Sequence, residues 1–215
     1  MFRDCLKDYL SAQDSIQILV SVDDPDELFS KLTSCKIDII LVDLFMPKIT
    51  GDKLITILKE KFPDVKIILL SMCVNVKDIC NLIDKGIHSY ISKADPLEVL
   101  VKAIYAVYEN RVYRSKLFTE ALYLNNIQKA NYESNHLIEA FTEREKKIIQ
   151  LLWQEKSNKE ISNELFLGIR SIEKIRQDLK ERAGVKTTIG LIKYALTNNI
   201  IFDPATENLL STRKY

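Results

Sequence analysis

No stretch of this sequence approaches the roughly 20 consecutive apolar residues that a membrane-spanning helix needs, so no transmembrane helix is expected in its 215 residues. The first ten residues, MFRDCLKDYL, carry charge throughout and lack the apolar centre of a secretory signal. A cytoplasmic location is the expectation. A large excess of either charge is also missing: 31 Lys and Arg stand against 30 Asp and Glu, a net charge of +1. That excludes a polybasic protein, so any nucleic-acid surface has to be local. Histidine is scarce, with only His88 and His136, and the four cysteines (Cys5, Cys35, Cys73, Cys80) form no C-x-x-C pair. This argues against a zinc site and for reduced cysteines, most of them packed as small apolar side chains. Internal repeats and low-complexity tracts are absent.

What is present is ordinary globular composition, 28% charged and 47% hydrophobic, in a chain long enough for two modest domains. Residues 1–113 alternate helical and strand-like patterns. Phe2, Leu6, Tyr9 and Leu10 recur at helical spacing. Ile16–Val22 reads as a strand. Asp24-Pro25-Asp26-Glu27 is a helix start, with Asp as cap and Pro at the first position, and that helix runs to about Ser34. Ile37–Val42 is a nearly continuous apolar run, as in a strand buried on both faces of a parallel sheet. Helices are expected at Asp52–Lys61, at Val76–Lys85 with a stop at Gly86, and at Pro96–Glu109; strands are expected at Lys66–Ser71 and Ile87–Ser92. This alternation implies a doubly wound parallel α/β sheet. Residues 114–138 are polar and read as a linker, with a helical pattern near Ser115–Ile127. Residues 139–203 are patterned only as helices, with apolar positions Ile148, Ile149, Leu152, Ile161, Leu165, Ile172, Leu179, Leu191 and Ala195 at core spacing. Trp153 is expected in the core or facing the other domain. The tail, 204–215, is polar.

The sharpest N-terminal feature is Leu41-Val42-Asp43-Leu44-Phe45-Met46-Pro47 with Gly51 following. An acid directly after a buried strand sits at the carboxyl edge of the sheet, where ligands of open α/β sheets bind. Ser71 ends the next strand, Tyr90 lies in the last, and Lys93 follows it. These residues, in this order, resemble the receiver domain of two-component response regulators, a flavodoxin-like fold. The resemblance implies that Asp43 is the phosphoacceptor and that Lys93 neutralises the phosphoryl oxygens. It implies that Ser71 hydrogen-bonds the bound phosphoryl group, and that Ser71 and Tyr90 form the switch. It also implies Mg²⁺, held by Asp43 and the backbone carbonyl of Phe45 together with a pair of acids.

That acidic pair is where the sequence departs from the family. The pair ends a first strand ahead of the first helix, and here Met1-Phe2-Arg3-Asp4 already matches the start of that helix. Asp23-Asp24 is no substitute, because too few elements separate it from Asp43; Asp24 is better explained as a helix cap. The missing strand is central in the family's sheet, so its loss implies an opening one strand spacing wide, ~4.8 Å. The expectation is a start upstream of Met1; without it, Mg²⁺ would be held poorly. Thr50, where the family more often has Asp, is a milder departure.

Residues 139–203 carry Phe141-Thr142-Glu143-Arg144-Glu145, Ser157-Asn158-Lys159-Glu160-Ile161, Ser171-Ile172-Glu173 and Ala183-Gly184-Val185. Thr142 with Glu145, and Ser157 with Glu160, are capping boxes. The segment resembles the four-helix, helix-turn-helix domain of the LuxR/NarL/FixJ class, with Gly168 expected at the bend and Ile175 and Ala183 departing from the common His and Leu. The resemblance implies double-stranded DNA as partner. Glu173, Lys174 and Gln177 would face base edges; Arg170, Ser171, Arg176 and Lys180 would face phosphates. Over 139–203 there are 12 Lys and Arg against 10 Asp and Glu, a weak excess that makes homodimerisation on DNA useful.

The function implied is a transcription factor controlled by phosphorylation of Asp43, with a sensor histidine kinase and RNA polymerase as further partners and no membrane. The alternative is a phosphorylation-independent DNA-binding regulator whose degenerate receiver serves dimerisation or docking. An enzyme is not expected: aspartyl-phosphate phosphatases carry a second Asp two residues after the nucleophile, and position 45 is Phe.

Overall fold

The computed structural model describes residues 2–46, 48–72, 76–115, 118–119, 141–198 and 200–201. The 204–215 tail, most of the 114–138 linker with its expected helix, Cys73 and His136 lie outside them.

The N-terminal unit runs α1 (Phe2–Ser11), α2 (Pro25–Ser34), β1 (Ile39–Asp43), α3 (Gly51–Lys61), β2 (Lys66–Ser71), α4 (Val76–Lys85), β3 (Ser89–Ser92) and α5 (Leu97–Tyr108). The strands form a parallel sheet in the order β1-β2-β3, with Asp43 opposite Leu70 and Ser71 opposite Ser92. Strand periodicity sorts the two faces of β2. Ile67 and Leu69 pack with α2, α3 and α4, and Ile68 and Leu70 with Leu6, Leu10 and Ala103 of α1 and α5. Ile67, Ile68 and Leu69 are fully buried, each worth roughly 1.5–3 kcal/mol. Local signals set the boundaries. Asp24 Oδ1 accepts from the Asp26 amide at 2.9 Å, capping α2. Gly86 follows α4 at φ +106°, a conformation that L side chains rarely adopt.

One expected strand is not in the sheet. Residues 16–22 form neither helix nor strand; Ile16, Ile18, Val20 and Val22 are partly buried while Gln17, Leu19 and Ser21 are exposed, yet among the described residues they pair with none of the strands. The alternation is that of a strand. What it lacks is a neighbour, because the opening expected from the sequence stands between it and β1. The cysteines also differ from expectation: Cys80 is buried, but Cys5 and Cys35 are exposed.

The C-terminal unit is four helices: α6 (Glu143–Trp153), α7 (Asn158–Leu165), α8 (Ile169–Arg182) and α9 (Thr188–Thr197). Both capping boxes form: Thr142 and Ser157 accept from the Glu145 and Glu160 amides at 3.3 Å, and the two glutamates return the bond. The bend between α7 and α8 is made differently from expectation. Gly168 is an ordinary extended N-cap, and the left-handed residue is Phe166, at φ 53°. The Ser162 hydroxyl secures the turn by donating to the Leu167 carbonyl.

The two units pack together, and one cluster of buried residues runs through both. Trp153 is buried, with the Arg114 guanidinium 4.5 Å from its ring centre. Arg114 also bonds Glu155 at 3.1 Å. No helix among the described residues is long and apolar enough to cross a membrane.

Candidate functional site

The carboxyl ends of the three strands bring the sequence-predicted residues together. Asp43 ends β1, and its Oδ2 accepts from the Lys93 ammonium just beyond β3. Its Oδ1 accepts from the Phe45 amide at 3.1 Å, which fixes the carboxylate's orientation. Asp43 stays one-third exposed, whereas Lys93 is mostly covered, its ammonium 4.9 Å from the Phe2 ring centre. Ser71 ends β2, fully buried, and its hydroxyl finds no partner among the described residues. The Lys93 amide donates to the Ser71 carbonyl at 2.9 Å, tying the two loops. Tyr90, opposite Leu69 and two residue pairs back on β3, is buried in the core.

Gly51 has a steric reason. A Cβ there would stand 2.6 Å from the Asp43 carbonyl oxygen and 2.7 Å from Leu44 Cα. Only glycine lets the start of α3 approach the Asp43 turn this closely, with the Gly51 amide donating to the Leu44 carbonyl at 3.0 Å. Thr50 caps α3 without a side-chain hydrogen bond.

The donor set around Asp43 does not fit Mg²⁺. An octahedral ion needs several oxygens around it, and the described residues contain no cluster of three His, Cys, Asp or Glu. Asp43 is already engaged by Lys93, while Asp24 is spent on capping α2 and on an ion pair with Lys48. The Phe45 carbonyl cannot make up the difference alone.

On α8, Arg170, Ser171, Glu173, Lys174 and Gln177 are exposed. Gln177 donates to Glu181 at 2.7 Å, and Asn158 reaches Glu173 at 3.5 Å. The geometry corrects the expectation for Arg176. It is buried, and its guanidinium bonds Asn158 Oδ1, Thr188 Oγ1 at 2.7 Å and, across the seam between the units, the Asn110 carbonyl at 2.8 Å. It cannot meet a phosphate in this arrangement. Burial lowers its pKa to about 10, opposed by Glu173. Lys180 is half-buried, and its pKa is lowered by burial and then by Arg176.

Sequence reasoning missed the residues that hold the two units together. Lys193 of α9 is buried and donates to Asp84 of α4 at 2.5 Å and to the Cys80 carbonyl at 3.1 Å. Lys59 of α3, by contrast, donates within its own unit to the Pro63 and Val65 carbonyls, and its pKa is held at about 8, chiefly by burial and then by repulsion from Lys186. Nothing in the local pattern distinguishes Lys193 from a surface lysine; only the four apolar residues around it in Gly190-Leu191-Ile192-Lys193-Tyr194-Ala195 hint at burial.

Two family models match the chain: the response regulator receiver domain over residues 1–105, and the bacterial regulatory proteins of the luxR family over residues 139–195. The chain is a response regulator of the LuxR class. Among the curated relatives of this regulator is the oxygen regulatory protein NreC of Staphylococcus aureus, 26% identical over 196 residues that cover 89% of this chain and 90% of that protein. Among solved structures, RcsB of Salmonella typhimurium aligns with a TM-score of 0.52 at 21% identity, covering 90% of this chain and 91% of that one. RcsB in a DNA complex aligns with a TM-score of 0.54 at 21% identity, covering 91% and 92%. These structural likenesses show the fold. The regulator thus joins a receiver domain to a LuxR-type DNA-binding domain.

Proposed function

We propose that this regulator's units are a receiver (1–113), a linker (114–138) and a DNA-binding domain (139–203), and that the charge state of Asp43 controls access of the third to DNA. A carboxylate oxygen of Asp43 attacks the phosphorus of a phosphohistidine on a sensor kinase. The P–N bond breaks, the histidine nitrogen leaves with the electron pair, and an acyl phosphate forms. Lys93 then bonds the phosphoryl oxygens instead of the carboxylate. Ser71, buried beside the site with an unspent hydroxyl, donates to the new group, and movement of its loop is passed to Tyr90 and α4.

The observation that carries this reading is the Lys93–Asp43 pair at the strand ends, with α4, the helix that follows Ser71, holding α9 through Lys193 and Asp84. Arg176 and Lys180 are covered in the same packing, so DNA binding requires the units to separate. Glu173, Lys174 and Gln177 then read base edges; Arg170, Ser171, Lys180 and the released Arg176 meet phosphates. A dimer on two half-sites supplies the affinity that a weakly basic domain lacks, and RNA polymerase is the downstream partner. RcsB's structures include one with DNA and one of two dimers on two DNAs, which supports the DNA and dimer assignments by analogy.

The donor set around Asp43 favours a second reading, in which packing between the units is governed by docking of a partner on the receiver and not by phosphate. Intact-mass measurement after incubation with phosphoramidate separates the two. One added phosphoryl group, absent in Asp43→Asn and accompanied by tighter DNA binding, supports the first. DNA binding indifferent to phosphoramidate overturns it in favour of the second.

A further inference from the structure

At the foot of the receiver sheet, opposite the strand ends that carry Asp43, donor side chains of both units gather. Lys59 of α3 is buried, and its ammonium donates to the Pro63 and Val65 carbonyls at 3.2 and 2.7 Å. An ammonium has three N–H groups, so one is left over. The Lys59 side chain runs past Gly86, where a Cβ would stand 3.2 Å from its Cδ. That brings it to the segment of His88, two residues on. His88 is mostly covered, and its Nδ1 accepts from the Ile67 amide at 3.1 Å. The neutral ring therefore carries its proton on Nε2, and that N–H donates to no described residue.

The DNA-binding unit supplies two more cations. Lys180 lies in the last turn of α8, and Lys186 follows in the turn to α9. The Val185 amide donates to the Lys180 carbonyl at 2.9 Å, which folds that turn back on α8. Lys180 is half-buried and Lys186 exposed, and neither makes a hydrogen bond or ion pair with a described residue. The two units feel each other here. Beyond burial, Lys186 and Lys180 disfavour the charged form of Lys59, and Lys59, Lys66 and Lys180 that of His88. Asp64 and Glu181 offset part of this, but Asp64 is exposed and Glu181 already accepts from Gln177. Lysines removed from water are ordinarily paired, and like charges brought together raise the energy of the packed arrangement.

We propose that this cluster is a binding site for a small phosphoryl anion of two or more negative charges, held by Lys59 and His88 of the receiver and by Lys180 and Lys186 of the DNA-binding unit. The donors arrive from several directions, which suits the tetrahedral oxygens of a phosphoryl group better than the two coplanar oxygens of a carboxylate. Ammonium groups act on phosphate as point charges and need no forked geometry. Because its donors come from both units, the anion favours their packed arrangement. Binding at the site is independent of phosphoryl transfer to Asp43. Its effect on DNA rests on the reading that the units separate to bind DNA, which would hand Lys180 to a DNA phosphate instead.

The test uses the full chain in magnesium-free buffer at pH 7.5 and constant ionic strength, with pyrophosphate as the probe and calorimetry as the readout. Expected are saturable one-to-one binding and slowed hydrogen exchange in one stretch of each unit, residues 59–67 and 180–187. Lys186→Ser, at an exposed position that leaves the core intact, should weaken binding roughly tenfold, the loss of one charged hydrogen bond. Lys59→Met should do the same, and Lys102→Met, on the outside of α5, should not. Tighter binding of ATP than of pyrophosphate would uphold the site and assign it to a nucleotide; equal or weaker binding of ATP would uphold it and assign it to a free phosphate. DNA affinity of the parent should fall as pyrophosphate approaches saturation, and fall less in Lys186→Ser. Binding without that fall would support the site and count against separation of the units on DNA. No saturable binding, binding indifferent to both lysine variants, or an effect that sodium chloride reproduces at equal ionic strength overturns the proposal.

Discussion

Lys193 of α9 and Asp84 of α4 form an ion pair that joins the DNA-binding unit to the receiver. The lysine end is buried and the aspartate end is more than half exposed, so the pair is partly screened and worth on the order of 0.2–1 kcal/mol. Asp84→Ala should loosen the seam and raise DNA affinity by up to about fivefold, the same free energy read as a binding constant. Fluorescence anisotropy on a specific site measures this. Unchanged or weaker binding would show that the seam does not hold DNA binding back.

Phosphoryl transfer to Asp43 should be slow and substoichiometric in this chain. Asp43 and an approaching phosphoryl donor repel as like charges, and Lys93 alone offsets only part of that. Lys93→Met should lower the acyl phosphate yield further at fixed time, measured by intact mass with phosphoramidate. A yield unaffected by Lys93→Met would remove the lysine from the chemistry.

The exposed residues of α8 should divide by role. Lys174→Ala should change the preferred sequence in binding-site selection, with a base discrimination of roughly 1–3 kcal/mol lost. Arg170→Ala should weaken binding to all sequences evenly and shallow the salt dependence. An unaltered motif for Lys174→Ala would reassign that lysine to the backbone.

His88 gives the fold a pH dependence. Burial, reinforced by the positive charges of Lys59, Lys66 and Lys180, pushes its pKa down to about 3, and its Nδ1 accepts from the Ile67 amide at 3.1 Å. The folded chain keeps the ring neutral while the unfolded chain protonates it near pH 6.5. Its contribution is therefore complete above about pH 6.5 and is lost as pH falls towards 3. Between pH 7.5 and 5.5 urea denaturation should lose about 1.4 kcal/mol of stability from this group, and His88→Gln should lack that component.

Gly51→Ala should destabilise the receiver by roughly 1–3 kcal/mol, the range for forced overpacking, because the new methyl meets backbone and not a flexible side chain. A urea midpoint equal to that of the parent would show that the start of α3 can move without cost.

Features written locally in the chain were legible in it. The β2 strand, the α2 cap at Asp24 and both capping boxes depend on neighbours within four residues, and each formed as the pattern implies. Asp43, Ser71 and Lys93 were legible because strand ends carry them to one edge. Residues 16–22 show where local reading stops: alternation was correct, but a strand also needs a partner, and that is a property of the whole sheet. Arg176 and Lys193 failed for the same reason, since a cation's burial is decided by a unit more than 60 residues away. The turn at Phe166 was hidden because an aromatic residue rarely takes a left-handed conformation.

The seam between the two units is crowded with like charge. Lys59 and Lys66 on the receiver face Arg176, Lys180 and Lys186, with Asp38 and Asp64 offsetting only part of it. Added salt screens this repulsion and so favours the closed arrangement, at the same time as it weakens phosphate contacts on DNA by reducing the gain from released counterions. The two effects add. A plot of log affinity against log salt will therefore fall more steeply than the phosphate contacts alone require, and counting contacts from its slope will overstate them. The excess should vanish in a fragment lacking the receiver.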